Sequence, residues 1–278
     1  MGWALTDDLE EFLARADGFL RGDPVANTVT LTVTEAMRAQ GSGLYRNALF
    51  GWWTAGGDVQ ATCMWTGRYP VLLSAMPEPA APELADALAG RDADVPAVNA
   101  TPTAASGFAE AWERLTGTPG RVIMRQRLHR LARLEMPDPP PQGAARVAGA
   151  GDRELVHDWF AAFHRDAGGH GDPNPAVVDG RLGEGGITLW EAGGRPVAMA
   201  GRTPAVAGAA RVAPVYTPSE HRRRGYGAAV TAAVTQGALD KGAADVVLFT
   251  DLANPTSNGV YRRLGYRPVE DRVVLAFA

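Results

Sequence analysis

Cysteine is all but absent: among 278 residues Cys63 is the single one. It cannot close an internal disulfide or furnish a thiolate zinc cluster, and it lies far in sequence from any histidine that would activate it. It therefore reads as a small buried apolar residue. No apolar run approaches the roughly 18–20 residues that span a bilayer, and the N-terminal stretch MGWALTDDLEEFLARADG carries acids where a secretory leader would be basic. These absences predict a soluble, cytoplasmic chain with no membrane partner. A basic excess is missing as well, since 27 Lys and Arg stand against 31 Asp and Glu, a formal net charge of −4. Domains that displace counterions from nucleic acid are usually basic, so no nucleic-acid partner is expected and any anion site must be local. What remains, 46% hydrophobic and 21% charged residues, is ordinary globular composition.

Proline, by contrast, is concentrated in Met136-Pro137-Asp138-Pro139-Pro140-Pro141-Gln142-Gly143, where it disfavours both helix and paired strand. This segment, 136–143, is read as a connector between a domain at 1–135 and a second at 144–278, each of ordinary domain size. Trp53-Thr54-Ala55-Gly56-Gly57 and Trp190-Glu191-Ala192-Gly193-Gly194 both read as a strand, a Gly-Gly turn and a returning strand, 137 residues apart. That offset is about half the chain and suggests duplication of one α/β unit; chance likeness of two hairpins is the alternative.

Alternation in the first half predicts strands over 47–54, 58–65 and 69–74, helices near 82–88 and 106–115, and a closing strand over 121–133. In the second half it predicts a helix over 152–164, strands over 187–191, 196–203 and 210–216, a helix over 227–241, a strand over 245–250, a helix over 255–264 and a strand over 269–277. The order is mixed α/β.

The chemistry concentrates between Arg211 and Gly227. Four arginines and one glutamate give this segment a local excess of positive charge inside an acidic chain. Gly225 and Gly227 remove Cβ so that backbone N–H groups can approach a ligand, and the helix that follows adds its unpaired donors at Tyr226, Gly227 and Ala228. Arg222, Arg223 and Arg224 add bidentate donors suited to phosphate oxygens. The combination suits a phosphate or diphosphate; a solvated basic turn is the bland alternative. A P-loop, G-x-x-x-x-G-K-[ST], is not found in the chain. A dinucleotide fingerprint, G-x-G-x-x-G, lacks its third glycine because Val230 occupies the place, and too little chain follows for the repeated units of a nicotinamide-binding sheet. Pro214 interrupts its strand, so a neighbouring strand can splay away and leave backbone groups of Val215 and Thr217 free for an extended ligand, or else it simply marks a bulge. The histidines 157, 164 and 170 show no metal-ligand spacing, and no metal is expected.

Arg222-Arg223-Arg224-Gly225-Tyr226-Gly227 matches the pattern [Q/R]-x-x-G-x-[G/A], and Asn254, Tyr261, Gly265 and Tyr266 match N-x(6)-Y-x(3)-G-[FY]. On these two motifs the chain resembles the GNAT superfamily of N-acetyltransferases over 187–278, while the first half, without an arginine-glycine loop, resembles a degenerate copy as in tandem acetyltransferases. The resemblance implies an α/β fold of two GNAT-like domains, each a mixed, mostly antiparallel sheet flanked by helices. It further implies acetyl-coenzyme A as cosubstrate and a small-molecule or peptide amine as acceptor, attacked directly on the thioester. In that frame Val215 or Tyr216 supplies the oxyanion donor, Tyr261 protonates the departing thiolate, and Asn254 contacts the cofactor. Val215, Tyr216, Thr217, Arg222–Ala228, Asn254 and Tyr261 form the expected binding set. Members that use a carboxylate base often carry it on the strand before the loop, and 210–217 holds no acid; Glu191 and Glu220 are the nearest by chain position. The loop over 166–174 is a candidate acceptor cover. A monomer is expected, as is turnover, with a non-catalytic acyl-coenzyme-A-binding module and, more remotely, a nicotinamide-dependent oxidoreductase as alternatives.

Overall fold

The computed structural model describes residues 1–41, 44–45, 47–91, 93–167 and 173–277. They fold into two compact units that are not contiguous halves. Unit 1 comprises Met1–Leu128, Asp251–Ala253 and Val269–Ala278; unit 2 comprises His129–Thr250 and Asn254–Pro268.

Unit 1 begins with β1 (Gly2–Thr6), α1 (Leu9–Gly22) and α2 (Thr28–Gln40). The sequence reading passed over all three. α1 forms because Asp8 accepts the N–H groups of Glu10 and Glu11, and because Phe12, Ala16 and Leu20 recur at the four-residue spacing that buries one helix face. Next come β2 (Ala48–Ala55), β3 (Asp58–Thr66), β4 (Val71–Leu73), α3 (Ala80–Ala89), β5 (Ala97–Ala100), α4 (Pro102–Thr116) and the larger part of β6 (Gly120–Leu131). β1, β2, β3 and β4 pair antiparallel in turn, and β4 pairs parallel with β5. α3 and α4 cover this sheet with Leu84, Leu88, Phe108 and Trp112, the last two rings stacked at 5.7 Å.

Unit 2 repeats the order: β7 (Ala144–Val147), α5 (Arg153–Asp166), α6 (Pro175–Gly183), β8 (Ile187–Ala192), β9 (Arg195–Arg202), β10 (Ala209–Tyr216), α7 (Tyr226–Asp240), β11 (Asp245–Asp251) and α8 (Pro255–Arg263). Its strands run in the order β11-β10-β9-β8-β7. The two Trp-x-Ala-Gly-Gly turns fall at equivalent places, between β2 and β3 and between β8 and β9. Residues 129–143, which include the proline-rich segment, belong to unit 2. There Ala132 N–H donates to the Gly265 carbonyl at 3.0 Å, Glu135 N–H to that of Leu264 at 3.1 Å, and the Trp190 indole to that of Gln142 at 3.1 Å.

The last strand, β12 (Tyr266–Phe277), starts in unit 2 and gives Val269–Phe277 to unit 1, where Val273 lies opposite Ala100 in an antiparallel pair with β5. Unit 1 is thus completed by β12. Both units are mixed α/β, with a mostly antiparallel sheet flanked by helices.

β12 also brings Arg272, 3% exposed, to the end of the β4–β5 pair. Its guanidinium donates to the Leu73 carbonyl at 2.6 Å, to the Asn99 carbonyl and side chain at 3.0 Å each, and to Glu270 at 2.8 Å. A buried arginine survives only with its donors matched, and this one is matched by two backbone carbonyls, an amide oxygen and a carboxylate.

Candidate functional site

The sequence from β10 to α7 brings together an open strand edge, an uncapped helix start and three arginines. β10 pairs with β11 in parallel at three positions, Ala209, Ala210 and Arg211. Beyond Arg211 the β11 side of β10 is open, and on the β9 side the register shifts between Val212 and Val215. Pro214, which has no N–H, sits inside that shift. Val215 and Tyr216 remain paired to Ala200 and Met199 of β9. In an extended strand alternate residues present their N–H and C=O to opposite edges, so the open edge exposes unpaired backbone groups. Thr250, three residues beyond the last β10–β11 pair, is 4% exposed, and its hydroxyl has no hydrogen-bond partner.

After Tyr216 the chain turns through a short 3-10 segment at Ser219–His221 into the three arginines. Arg223 adopts φ 63° and Gly225, which caps α7, φ 82°. The left-handed region costs a non-glycine residue roughly 1–2 kcal/mol, so Arg223 holds strain of the kind that gathers at ligand sites. No side chain caps α7. The first intrahelical bond is Ala229 N–H to the Gly225 carbonyl, which leaves the N–H groups of Tyr226, Gly227 and Ala228 without helical partners. A Cβ on Gly227 would stand 3.4 Å from the Thr217 hydroxyl, in contact with the mouth of the loop.

The arginines differ. Arg222 is already engaged: its Nε donates to the Thr217 carbonyl at 2.9 Å and its Nη2 to Asp166 at 2.6 Å. Arg223 and Arg224 are exposed and have no ion pair among the described residues. Tyr226 is buried in the α7 core, so only its backbone can serve a ligand. Asp166, at the end of α5, was invisible to sequence reasoning because its partner lies 56 residues away. His221 was also passed over; its Nδ1 is buried without a partner beside the arginines.

Downstream, Asn254 is the cap of α8, its side chain accepting the Ser257 N–H at 3.0 Å, and Pro255 opens the helix. Tyr261 packs against the α7 core with its ring 6.2 Å from that of Tyr266, edge to face. Desolvation pushes its phenol up to about 12. Gly265 has a packing reason of its own: at φ 97° a Cβ there would fall 1.7 Å from the Arg133 carbonyl.

Neither carboxylate singled out from the sequence stands ready as a base. Glu191 is tied to Arg146 at 2.8 Å, and Arg146 also reaches Asp152 at 2.6 Å. Glu220 is exposed, and its own backbone N–H, then the Ser219 hydroxyl, hold its carboxyl below the usual range. On the other face of the sheet Trp159 of α5 stands 5.9 Å from Tyr216, ring to ring. His157 meets Asp179 at 2.8 Å; Arg153 first and His157 second draw that carboxyl down to about 2. His170 and most of the glycine-rich loop over 166–174 lie outside the described residues. Among the described residues no cluster could hold a metal ion, and no helix is long and apolar enough to cross a membrane.

Two cavities lie away from the arginine-glycine loop. One of about 540 Å³ adjoins Gly149, Arg153, Asp179 and Leu182; the other, about 200 Å³, adjoins Arg146, Thr188, Arg202, Gly237 and Lys241.

Residues 194–275 match the family model described as FR47-like protein. Compared with the curated proteins, the chain has no match. Among solved structures it is similar to a GCN5-related N-acetyltransferase from Kribbella flavida, at 24% identity and TM-score 0.57 over 89% of this chain and 95% of that one. A GCN5-related N-acetyltransferase from Sphaerobacter thermophilus matches at 17% identity and TM-score 0.65 over 98% and 94% of the two chains. A tandem GNAT protein from the clavulanic acid biosynthesis pathway matches at 13% identity and TM-score 0.56 over 99% and 98%.

Proposed function

From a chain that has the GNAT fold, we propose that unit 2 transfers an acetyl group from acetyl-coenzyme A to an amine. The observation that carries this reading is the continuity of an open strand edge with an uncapped helix start. β10 loses its β11 partner after Arg211, and a few residues later α7 begins at a left-handed glycine beside two unpaired arginines. An extended arm with amide groups fits the first, and a diphosphate fits the second. Coenzyme A has both, and as a thioester it brings an acyl group activated toward amines.

In this reading Tyr226, Gly227 and Ala228 hold the diphosphate through backbone N–H groups, and Arg223 and Arg224 close on its rim. Arg222 joins them by exchanging Asp166 for the phosphate. Val215 or Tyr216 donates a backbone N–H to the oxyanion at the open edge. Tyr261, whose raised pKa keeps its proton at any physiological pH, protonates the departing sulfur. Asn254 caps α8 through its Oδ1, which accepts the Ser257 N–H, and its Nδ2 is left to contact the cofactor. With Glu191 neutralised and Glu220 stabilised as an anion, the amine loses its proton to solvent or a water chain rather than to a dedicated carboxylate. The acceptor is a small-molecule or peptide amine, and the working form a monomer.

Free thiol released from acetyl-coenzyme A, measured against amines, amino acids, peptides and aminoglycosides, tests this. Product heavier by one acetyl group is the expected result. Coenzyme A binding with no turnover on any acceptor would make unit 2 a non-catalytic binding module, and nicotinamide binding without coenzyme A would overturn the reading altogether.

A further inference from the structure

Arg202, the last residue of β9, is 8% exposed and has no ion pair among the described residues. It lies on the sheet face it shares with Ala198 and Ala200, under α7. Its five donors find little: one reaches the Thr203 carbonyl at 3.5 Å and another the Gly185 carbonyl at 3.4 Å, both at the outer limit of a hydrogen bond. Glu184 is the carboxylate whose field it feels, and Glu184 is exposed, outside ion-pair distance. Arginine does not shed its proton to escape burial. A guanidinium with only two long hydrogen bonds and no carboxylate partner keeps donor capacity that an anion could use.

The 200 Å³ cavity that Arg202 lines offers room for one. Lys241 contributes a second cation, its Nζ resting 3.5 Å from the Glu184 carbonyl, and Thr188 and the small Gly237 complete the wall. Arg146 with Asp152 and Glu191 sums to one negative charge, and the C-terminal end of α7 adds about half of another, so the two cations Arg202 and Lys241 retain a small positive excess. The cradle proposed for coenzyme A stands at the other end of α7, roughly 16–22 Å away along a helix rising 1.5 Å per residue.

We propose that this cavity is a second binding site, separate from the coenzyme loop, that takes a small oxyanion on the forked guanidinium of Arg202 with Lys241 at its rim. A planar carboxylate and a tetrahedral phosphate both match the fork.

Calorimetric titration of the full chain with inorganic phosphate and with acetate, at low ionic strength, tests the site in the parent and in Arg202→Met, Lys241→Met and Arg222→Ala. Saturable binding of either anion is expected, weakened at least tenfold by Arg202→Met, several-fold by Lys241→Met, and unchanged by Arg222→Ala. Without added anion, Arg202→Met should melt at the parent's temperature or above, because a methionine of similar length replaces an uncompensated buried cation. Affinity that survives Arg202→Met but falls in Arg222→Ala places the anion at the coenzyme loop and overturns the proposal. So does the absence of saturable binding in the parent. A melting temperature lowered by Arg202→Met would show that the charge is already satisfied within the fold, and would overturn it too. Should that variant fail to fold, unchanged affinity in Lys241→Met, an exposed position, decides against the site.

Discussion

Tyr261→Phe separates chemistry from packing because it keeps the ring and deletes one atom. The ring is what the fold uses: it packs on the α7 core and meets Tyr266 edge to face at 6.2 Å, a contact phenylalanine repeats. The hydroxyl has no hydrogen-bond partner among the described residues, and the neighbouring phenol of Tyr266 shares its bond with Thr235 at 2.7 Å instead. Deleting a desolvated, unpartnered hydroxyl leaves stability within about 1 kcal/mol of the parent or slightly above it. Coenzyme A affinity, which the proposal sets at the loop, should likewise hold. Turnover should not: losing a positioned general acid removes roughly 10²–10⁴ in rate, about 2.7–5.5 kcal/mol of barrier. The parent's pH profile adds a second mark. A phenol pushed up to about 12 keeps its proton through the range where an ordinary tyrosine, near 10, would lose it, so no alkaline loss of the acid should appear until pH approaches 12. The same shift makes the phenol's contribution to folding stability complete below about pH 10 and lost as pH climbs from 10 through 12. Thiol release under single turnover, with calorimetry and thermal melts alongside, measures all of this. Turnover within about threefold of the parent, with chemistry shown to limit the rate, would reduce Tyr261 to a packing residue.

Gly225→Val forces a β-branched residue to φ 82°, and Gly227→Val presses on the Thr217 hydroxyl; both should weaken coenzyme A binding at least tenfold by calorimetry while the core melts near the parent temperature. Arg222→Ala should cost about 1–3 kcal/mol of coenzyme A affinity, whereas Asp166→Asn, which releases Arg222 from its partner, should leave affinity equal or raise it by up to about 1 kcal/mol. Arg272→Met strands two carbonyls, the Asn99 amide oxygen and Glu270 in the interior of unit 1, and chemical denaturation should register a loss of about 3–5 kcal/mol.

What the sequence disclosed was local. The arginine-glycine loop is legible because a backbone approach to an anion needs glycine, a helix start and positive charge within a few consecutive residues, and 222–228 supplies all three. The strands from 187 to 216 and the helix after the loop were legible from alternation and from their turns. Contacts between residues remote in sequence were not. Asp166 has nothing around it that announces a partner 56 residues on, and Gly265, which the motif offered as a family signature, owes its place to the carbonyl of Arg133. The closing strands were hardest. Val273, Val274, Leu275 and Phe277 are all buried, and an unbroken apolar run of this kind names no particular sheet, so its pairing with β5 of unit 1 could not be read from the residues themselves.

The repeated element order allows the start of α3 in unit 1 to be set beside the start of α7 in unit 2, and the chemistry is inverted. Where α7 opens on glycine and arginine, α3 opens on Pro77, Glu78, Pro79 and Pro82, which remove donors and add an acid; Glu83 follows, accepting the Trp53 indole at 2.7 Å. An anion would meet an acid, no arginine and few free N–H groups there. The strand ends differ to match. Backbone groups at a buried strand end must be satisfied from somewhere, and in unit 1 Arg272 satisfies those of Leu73 and Asn99 from within the chain. In unit 2 Arg181 takes the Ala213 carbonyl, but no side chain among the described residues donates to Val215 or Tyr216. The same architecture is therefore filled by its own arginine in one unit and left open in the other, which supports the proposal that unit 2 is the one to bind the cofactor.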